Sequence, residues 1–181
     1  KIASADLTNT PLIEHVARFG KPLIISTGGA SQNDVDRAAR LLRNLAAEFA
    51  ILQCTSSYPA ACADLNLQVI SAYRERYRRQ VIGYSGHATG IPIPLVAYGL
   101  GARIIEKHGT LDQTLKGTDQ RFSLTGDDLG ALVAALNLTR LALGSPDKAV
   151  SPAELPALQK MLKSLYTARP LPAGHILTAA D

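Results

Sequence analysis

Short runs rich in β-branched and apolar residues alternate with longer runs of helical periodicity, and this alternation restricts the possible folds more than any other feature. Strands are predicted over Lys1–Ser4, Pro22–Thr27, Phe49–Thr55, Val81–Ser85 and Ala102–Lys107. Helices are predicted over Pro11–Phe19, Gln32–Ala47, Leu65–Tyr77, Ile91–Leu100 and Gly126–Leu143. Pro11 sits at a helix start, where its missing N–H costs nothing. Ser31 followed by Asp34 reads as a cap with an acid in the first turn. Thr125 reads as the cap of the last helix and Gly144 as its stop. Strands alternating with helices, at strand-to-strand spacings of about 20–31 residues, predict a parallel α/β sheet with helical crossovers.

Polar groups collect just past each strand: Ser4 and Asp6, Ser26 and Thr27, Thr55 to Tyr58, Ser85 and His87, and His108. In a (β/α)8 TIM barrel these ends form one face, and that face carries the active site. An open doubly wound sheet would use only the crevice where strand order reverses. No G-x-G-x-x-G or phosphate-binding loop is present, so the barrel accounts for the pattern better. A barrel needs eight strands. Five βα units are recognisable here, so the expectation is the last five units of such a barrel over residues 1–145. A linker and short helix are expected over 146–166, and the start of a small β-rich module over 167–181. Three βα units are expected ahead of Lys1, and a barrel left open in this way is expected to be inactive and poorly stable by itself.

Composition narrows the function classes. The chain has 181 residues, a formal net charge of +4 and 46% apolar residues. That is a globular chain with a mild basic excess. The densest basic run, "YRERYRRQ" at 73–80, reads as a solvated helix end, where cations suit the helix dipole. No zinc-finger spacing or glycine-aromatic RNA motif accompanies it, so nucleic acid is not an expected partner. Cys54 and Cys62 make no disulfide framework and no metal-ligand spacing, which fits a reducing cytoplasm. No apolar run approaches the ~18 residues that a membrane span needs.

Two strands end in a histidine. "VIGYSGHATGI" places His87 after one, and "GARIIEKHGT" places His108 after the next. Adjacent strands lie ~4.8 Å apart, and a metal–imidazole bond is ~2.0–2.1 Å. The pair can therefore share a divalent ion with open positions for water and substrate; each can equally be a hydrogen-bonded strand-end histidine. Lys1 with Ser4, Ser26, Thr27, Ser56, Tyr58 and Ser85 supplies the cation and hydroxyls that a phosphate requires. "STGGAS", residues 26–31, adds glycines before a helix N-terminus, an anion-binding arrangement and equally ordinary turn chemistry. The long loop 111–124 carries Lys116, Asp119 and Arg121 toward the expected mouth, where Asp119 can bind hydroxyls or accept a proton. His15 and His175 read as surface residues.

Taken together, "GKPLIISTGGA", "LQCTSSYPA", "GYSGHATGI", "EKHGTLDQTLKGTDQRFSL" and "ALGSPDKAV" resemble the sialic acid (N-acetylneuraminate) synthases and related nonulosonate synthases. The resemblance runs over nearly the whole chain. It implies a (β/α)8 barrel followed by an antifreeze-like (SAF) domain. The implied reaction is a C–C bond-forming transfer that joins phosphoenolpyruvate to N-acetylmannosamine or its 6-phosphate and releases phosphate. His87 and His108 would hold Mn2+ or Mg2+. Lys1, Ser4, Ser26, Ser56, Tyr58 and Ser85 would surround phosphoenolpyruvate, and Asp6 and Asp119 would serve the sugar. A homodimer is implied for the full-length protein. Gln120, Gly109 and Gly29 depart from the family's usual residues and bear on sugar preference. A legionaminate- or pseudaminate-type synthase is the second reading, and a non-catalytic sugar-binding remnant the third.

Overall fold

The computed structural model describes residues 1–181, which divide into two compact units, Lys1–Gly144 and Ser145–Asp181. The first unit is built on a four-stranded parallel sheet of order β1-β2-β3-β4. The strands are β1 (Leu23–Ser26), β2 (Phe49–Cys54), β3 (Val81–Gly86) and β4 (Ile105–Lys107). The helices are α1 (Thr10–Ala17), α2 (Gln32–Asn44), α3 (Gln68–Arg76), α4 (Pro92–Gly99) and α5 (Gly126–Leu143). Spatial order equal to chain order is what successive right-handed βα units produce.

The expected first strand is the main correction. Lys1–Ser4 contributes only an isolated parallel bridge, Ile2 to Ile25, before the chain turns into a 3-10 helix at Ser4–Asp6. The Asp6 and Leu7 amides bond back to Ala3 and Ser4, so the turn takes the donors a longer strand would need. The sheet thus has four strands where five were expected. Elsewhere the elements shift by a few residues at their ends, while α5 has its predicted bounds, with a Thr125–Asp128 capping box at its start and Gly144 at its end.

β2 is buried at every position, as a strand covered on both faces must be. The core joins Ile25, Ile51 and Ile82 of the sheet to Val35, Ala39 and Leu42 of α2 and to Ile70, Tyr73 and Tyr77 around α3. Along α5, Leu129, Val133, Leu138 and Leu141 remain exposed, spread around the helix rather than on one face. In the second unit Pro152–Glu154 forms a 3-10 turn and α6 covers Leu155–Met161; residues 167–181 carry no helix or strand. No helix is long and apolar enough to cross a membrane.

One polar tie holds α2 to α3. Asp36 accepts from Arg76 Nε at 2.8 Å and Nη2 at 2.5 Å, and from the Tyr77 hydroxyl at 2.8 Å. The Arg76 bond above all holds the Asp36 carboxyl at a pKa of about 2. An unfolded aspartate titrates near ~3.9, so the tie is complete above that pH and is lost as pH falls toward the folded value. Because Arg76 is half exposed, solvent screens the pair and its contribution is small. Urea unfolding should therefore show Asp36→Asn to be destabilised relative to wild type at pH 6, with the difference shrinking at pH 3. An equal difference at both pH values would contradict the assignment.

Candidate functional site

Side chains alternate across a strand, so residues two apart share a face. The register of this sheet stacks the inward residues in tiers. Cys54 of β2 lies opposite Ser85 of β3, and Ser85 lies opposite Glu106 of β4. Two residues further along each chain come Ser56, His87 and His108. All six line one cavity of about 710 Å3 at the C-terminal ends of the strands. Lys1, Ser4, Ser26, Gly28, Gly29 and Tyr58 complete much of its wall.

Glu106 organises the lower tier. Its Oε1 accepts from Ser85 Oγ at 3.1 Å, and its Oε2 lies 3.2 Å from Lys1 Nζ. Sequence reasoning passed over Glu106 as part of a strand, although the two-residue period from His108 marks it as inward. The neighbouring Lys107 takes the opposite phase and donates to the Ala88 carbonyl, bracing the turn after His87.

Ser4 and Gly28 meet where the first 3-10 turn passes the end of β1. The Gly28 amide donates to Ser4 Oγ at 2.9 Å. A Cβ on Gly28 would fall 2.2 Å from Ser56 Oγ and 3.0 Å from Cys54 Sγ, so a side chain there would push Ser56 aside and press on buried Cys54. Ser26 Oγ is buried without a protein partner. A buried orphan hydroxyl on a cavity wall is a ready contact for a ligand. The start of α2 is different: Asp34 accepts from the Ser31 amide at 2.9 Å in a capping box, so a protein carboxylate already occupies that end.

His87 is 4% exposed, and its Nδ1 lies 2.8 Å from the Thr55 carbonyl. A carbonyl only accepts, so Nδ1 carries the proton and Nε2 keeps its lone pair. Burial, partly offset by the Thr55 bond, pulls the His87 pKa below its ordinary value, which favours the neutral ligand form. The His87 and His108 ring centroids lie 5.1 Å apart. Two imidazoles sharing an ion through bonds of ~2.0–2.1 Å sit with centroids roughly 4.5–5.5 Å apart. The donor chemistry and the spacing both fit a divalent ion. No cluster of three His, Cys, Asp or Glu side chains joins the pair, so most positions on such an ion would fall to water and substrate oxygens. The Tyr58 ring packs on His87 with centroids 4.0 Å apart, and buried Phe122 lies 5.4 Å from His108. Phe122, from the 3-10 turn within the long loop, packs behind the histidine pair, a position that periodicity could not have marked.

The two expected acids stand apart from the rest. Asp119 Oδ2 is 3.6 Å from His108 Nδ1, longer than a hydrogen bond but within charge range. Asp6 sits in the first 3-10 turn, accepts from the Asn9 amide side chain at 3.2 Å, and is not among the cavity-lining residues.

Parallel strands whose C-terminal ends bring a histidine pair and a tier of hydroxyls to one cavity have the layout of an α/β protein with its candidate site at the strand ends. The chain belongs to the NeuB family, which it matches over residues 1–148. It is 42% identical over 178 residues to the human N-acetylneuraminate-9-phosphate synthase, covering 98% of this chain and 50% of that protein. It is 35% identical over 186 residues to the N,N'-diacetyllegionaminic acid synthase of Legionella pneumophila, covering 100% of this chain and 52% of that protein. The crystal structure of an N-acetylneuraminic acid synthetase from Leptospira borgpetersenii, in complex with citrate, superposes with a TM-score of 0.80 at 37% identity, over 88% of this chain and 55% of that one. The chain thus spans about half the length of the curated relatives it matches.

Filling the gap at Gly28 gives a direct check on the packing of the site. Gly28→Ala should destabilise the fold by about 1–3 kcal/mol in urea unfolding, the usual cost of overpacking. A wild-type midpoint would mean that Ser4, Cys54 and Ser56 are not packed as described.

Proposed function

We propose that the chain forms the strand-end part of a nonulosonate synthase, which condenses phosphoenolpyruvate with N-acetylmannosamine or its 6-phosphate and releases phosphate. The observation that supports this most is the convergence of His87, His108, Lys1 and a set of hydroxyls, one of them orphaned, on a single cavity.

In this reading Lys1, steered by Glu106, is the cation for phosphoenolpyruvate. Ser4, Ser26, Ser56 and Tyr58 donate hydrogen bonds to its phosphate and carboxylate oxygens, and Ser85, whose hydroxyl donates to Glu106, lines the same wall beside them. C3 of phosphoenolpyruvate forms the new bond to the aldehyde carbon of the open-chain sugar, and the aldehyde oxygen takes the electron pair and a proton. Water then adds at C2, and phosphate leaves from the tetrahedral carbon. His87 and His108 would hold a divalent cation, Mn2+ or Mg2+, which supplies Lewis-acid polarisation of the aldehyde oxygen. Asp119, 3.6 Å from His108, and Asp6 would serve the sugar at the rim, outside the cavity lining. The residues otherwise hold the two reactants in line, which is a large share of any bimolecular acceleration.

The antifreeze-like module beginning within 167–181, a homodimer and a cytoplasmic setting belong to the same reading. A legionaminate- or pseudaminate-type sugar is the second reading. It is favoured by Gly29, a cavity-wall residue with nothing within 4 Å of where its Cβ would stand, which leaves room for a larger substituent.

The test is phosphate release from phosphoenolpyruvate in the chain extended to its relatives' length. Release should require both a 2-acetamido sugar and a divalent ion, and His87→Ala should lower kcat roughly 10²–10³-fold. Release independent of sugar, or full activity in His87→Ala, would refute the assignment.

A further inference from the structure

A second cavity, of about 690 Å3, opens beside the N-terminal end of β3, and nothing in the proposed reaction uses it. Its walls carry three guanidinium groups, those of Arg74, Arg78 and Arg103, and a single carboxylate, Glu75. None of the three arginines forms an ion pair; the pairs of this unit go to Lys1, Arg37, Arg76 and His108.

Main-chain carbonyls position the guanidiniums instead. Arg78 Nε donates to the Glu75 carbonyl at 3.2 Å. Arg103 Nη1 donates to the Ala102 and Tyr98 carbonyls at 2.9 and 3.2 Å, with its guanidinium 4.7 Å from the Tyr98 ring centroid. Arg74 reaches the Leu100 carbonyl at 3.5 Å and lies across Gly101, where a Cβ would fall 2.4 Å from Arg74 Cδ. Gly101 has a φ of +107°, so glycine is needed there on both counts. These anchors use one nitrogen of each guanidinium. The remaining N–H groups of three forks stay available beside the hydroxyl of Ser71 and the amide of Gln80.

The C-terminal ends of α3 and α4 favour nearby cations. That explains why arginines occur here, but not why three converge on one cavity with a single carboxylate. We propose that this cavity is a second binding site, for a phosphate-bearing anion, distinct from the strand-end site. Guanidinium forks match phosphate oxygens bidentately, and the volume falls within the roughly 300–1,000 Å3 of small-molecule pockets. The six residues of β3 separate the two sites by about 20 Å. The cavity lies at the N-terminal ends of the strands, opposite the face that carries the reacting groups, and a ligand that binds the folded chain there stabilises it.

The probe is inorganic phosphate, titrated at constant ionic strength into the full chain and followed by amide NMR. The amides of Gln80, Val81, Gly101 and Arg103 should shift saturably. The double variant Arg78→Gln/Arg103→Gln should weaken that binding at least about tenfold while leaving any response at Gly28 and Ser85 unchanged. Arg103→Lys, which keeps the charge but loses the fork, should weaken it by a smaller factor. The spectrum itself reports whether each variant is folded. The proposal is overturned if the wild-type amides at this cavity do not shift saturably, if chloride at equal ionic strength shifts them equally, or if a folded double variant keeps wild-type affinity.

Discussion

The parallel hydrogen-bond ladder is the constraint on which everything else here depends. Strand pairing fixes which residue stands beside which, and a slip of one position would turn every inward side chain outward. With Cys54 opposite Ser85 and Ser85 opposite Glu106, the inward rows bring Ser56, His87 and His108 to a common level at the strand ends. The site is therefore a property of the register. Packing of Ile51 and Ile82 against the helices holds that register, because a slip would exchange buried apolar side chains for the polar residues of the cavity.

Electrostatics then divide the molecule into two ends. At the C-terminal ends of the strands Glu106 gathers Lys1 and Ser85, and Thr55 sets the tautomer of His87. A buried neutral imidazole with a free nitrogen is suited to a cation, and the lysine with its hydroxyls to an anion. The two sit in one cavity, as the proposed condensation would require. At the other end three arginines are held by carbonyls without a partner charge. The two ends differ in how their cations are held: Lys1 by the carboxylate of Glu106, the three arginines by neutral main-chain carbonyls.

Much of this was legible in the chain because it rests on local rules. Thr125 with Asp128 and the stop at Gly144 marked α5, and the strand-end polar residues picked out many of the side chains on the cavity wall. What escaped was non-local or sat at an edge. Lys1–Ser4 looked like a strand, but backbone bonding in the turn at Ser4–Asp6 left it a single bridge. Glu106 was hidden by its charge inside an apolar strand, although the alternation from His108 pointed to it. Asp34, read as a simple first-turn acid, also closes the α2 start against an external anion. Phe122 depends on how the long loop returns past Gly109, where an isolated bridge to Leu124 brings it to the histidines.

The central claim is that His87 and His108 share one divalent ion at the strand ends, and paramagnetic Mn2+ tests it most directly. Mn2+ added to the 15N-labelled chain should broaden the amides of Gly86, Ala88 and Gly109 first and leave those of Gly101 and Arg103 sharp, with the selectivity lost in His108→Ala. Broadening that follows the exposed carboxylates instead, or that is unchanged in the variant, would contradict the account.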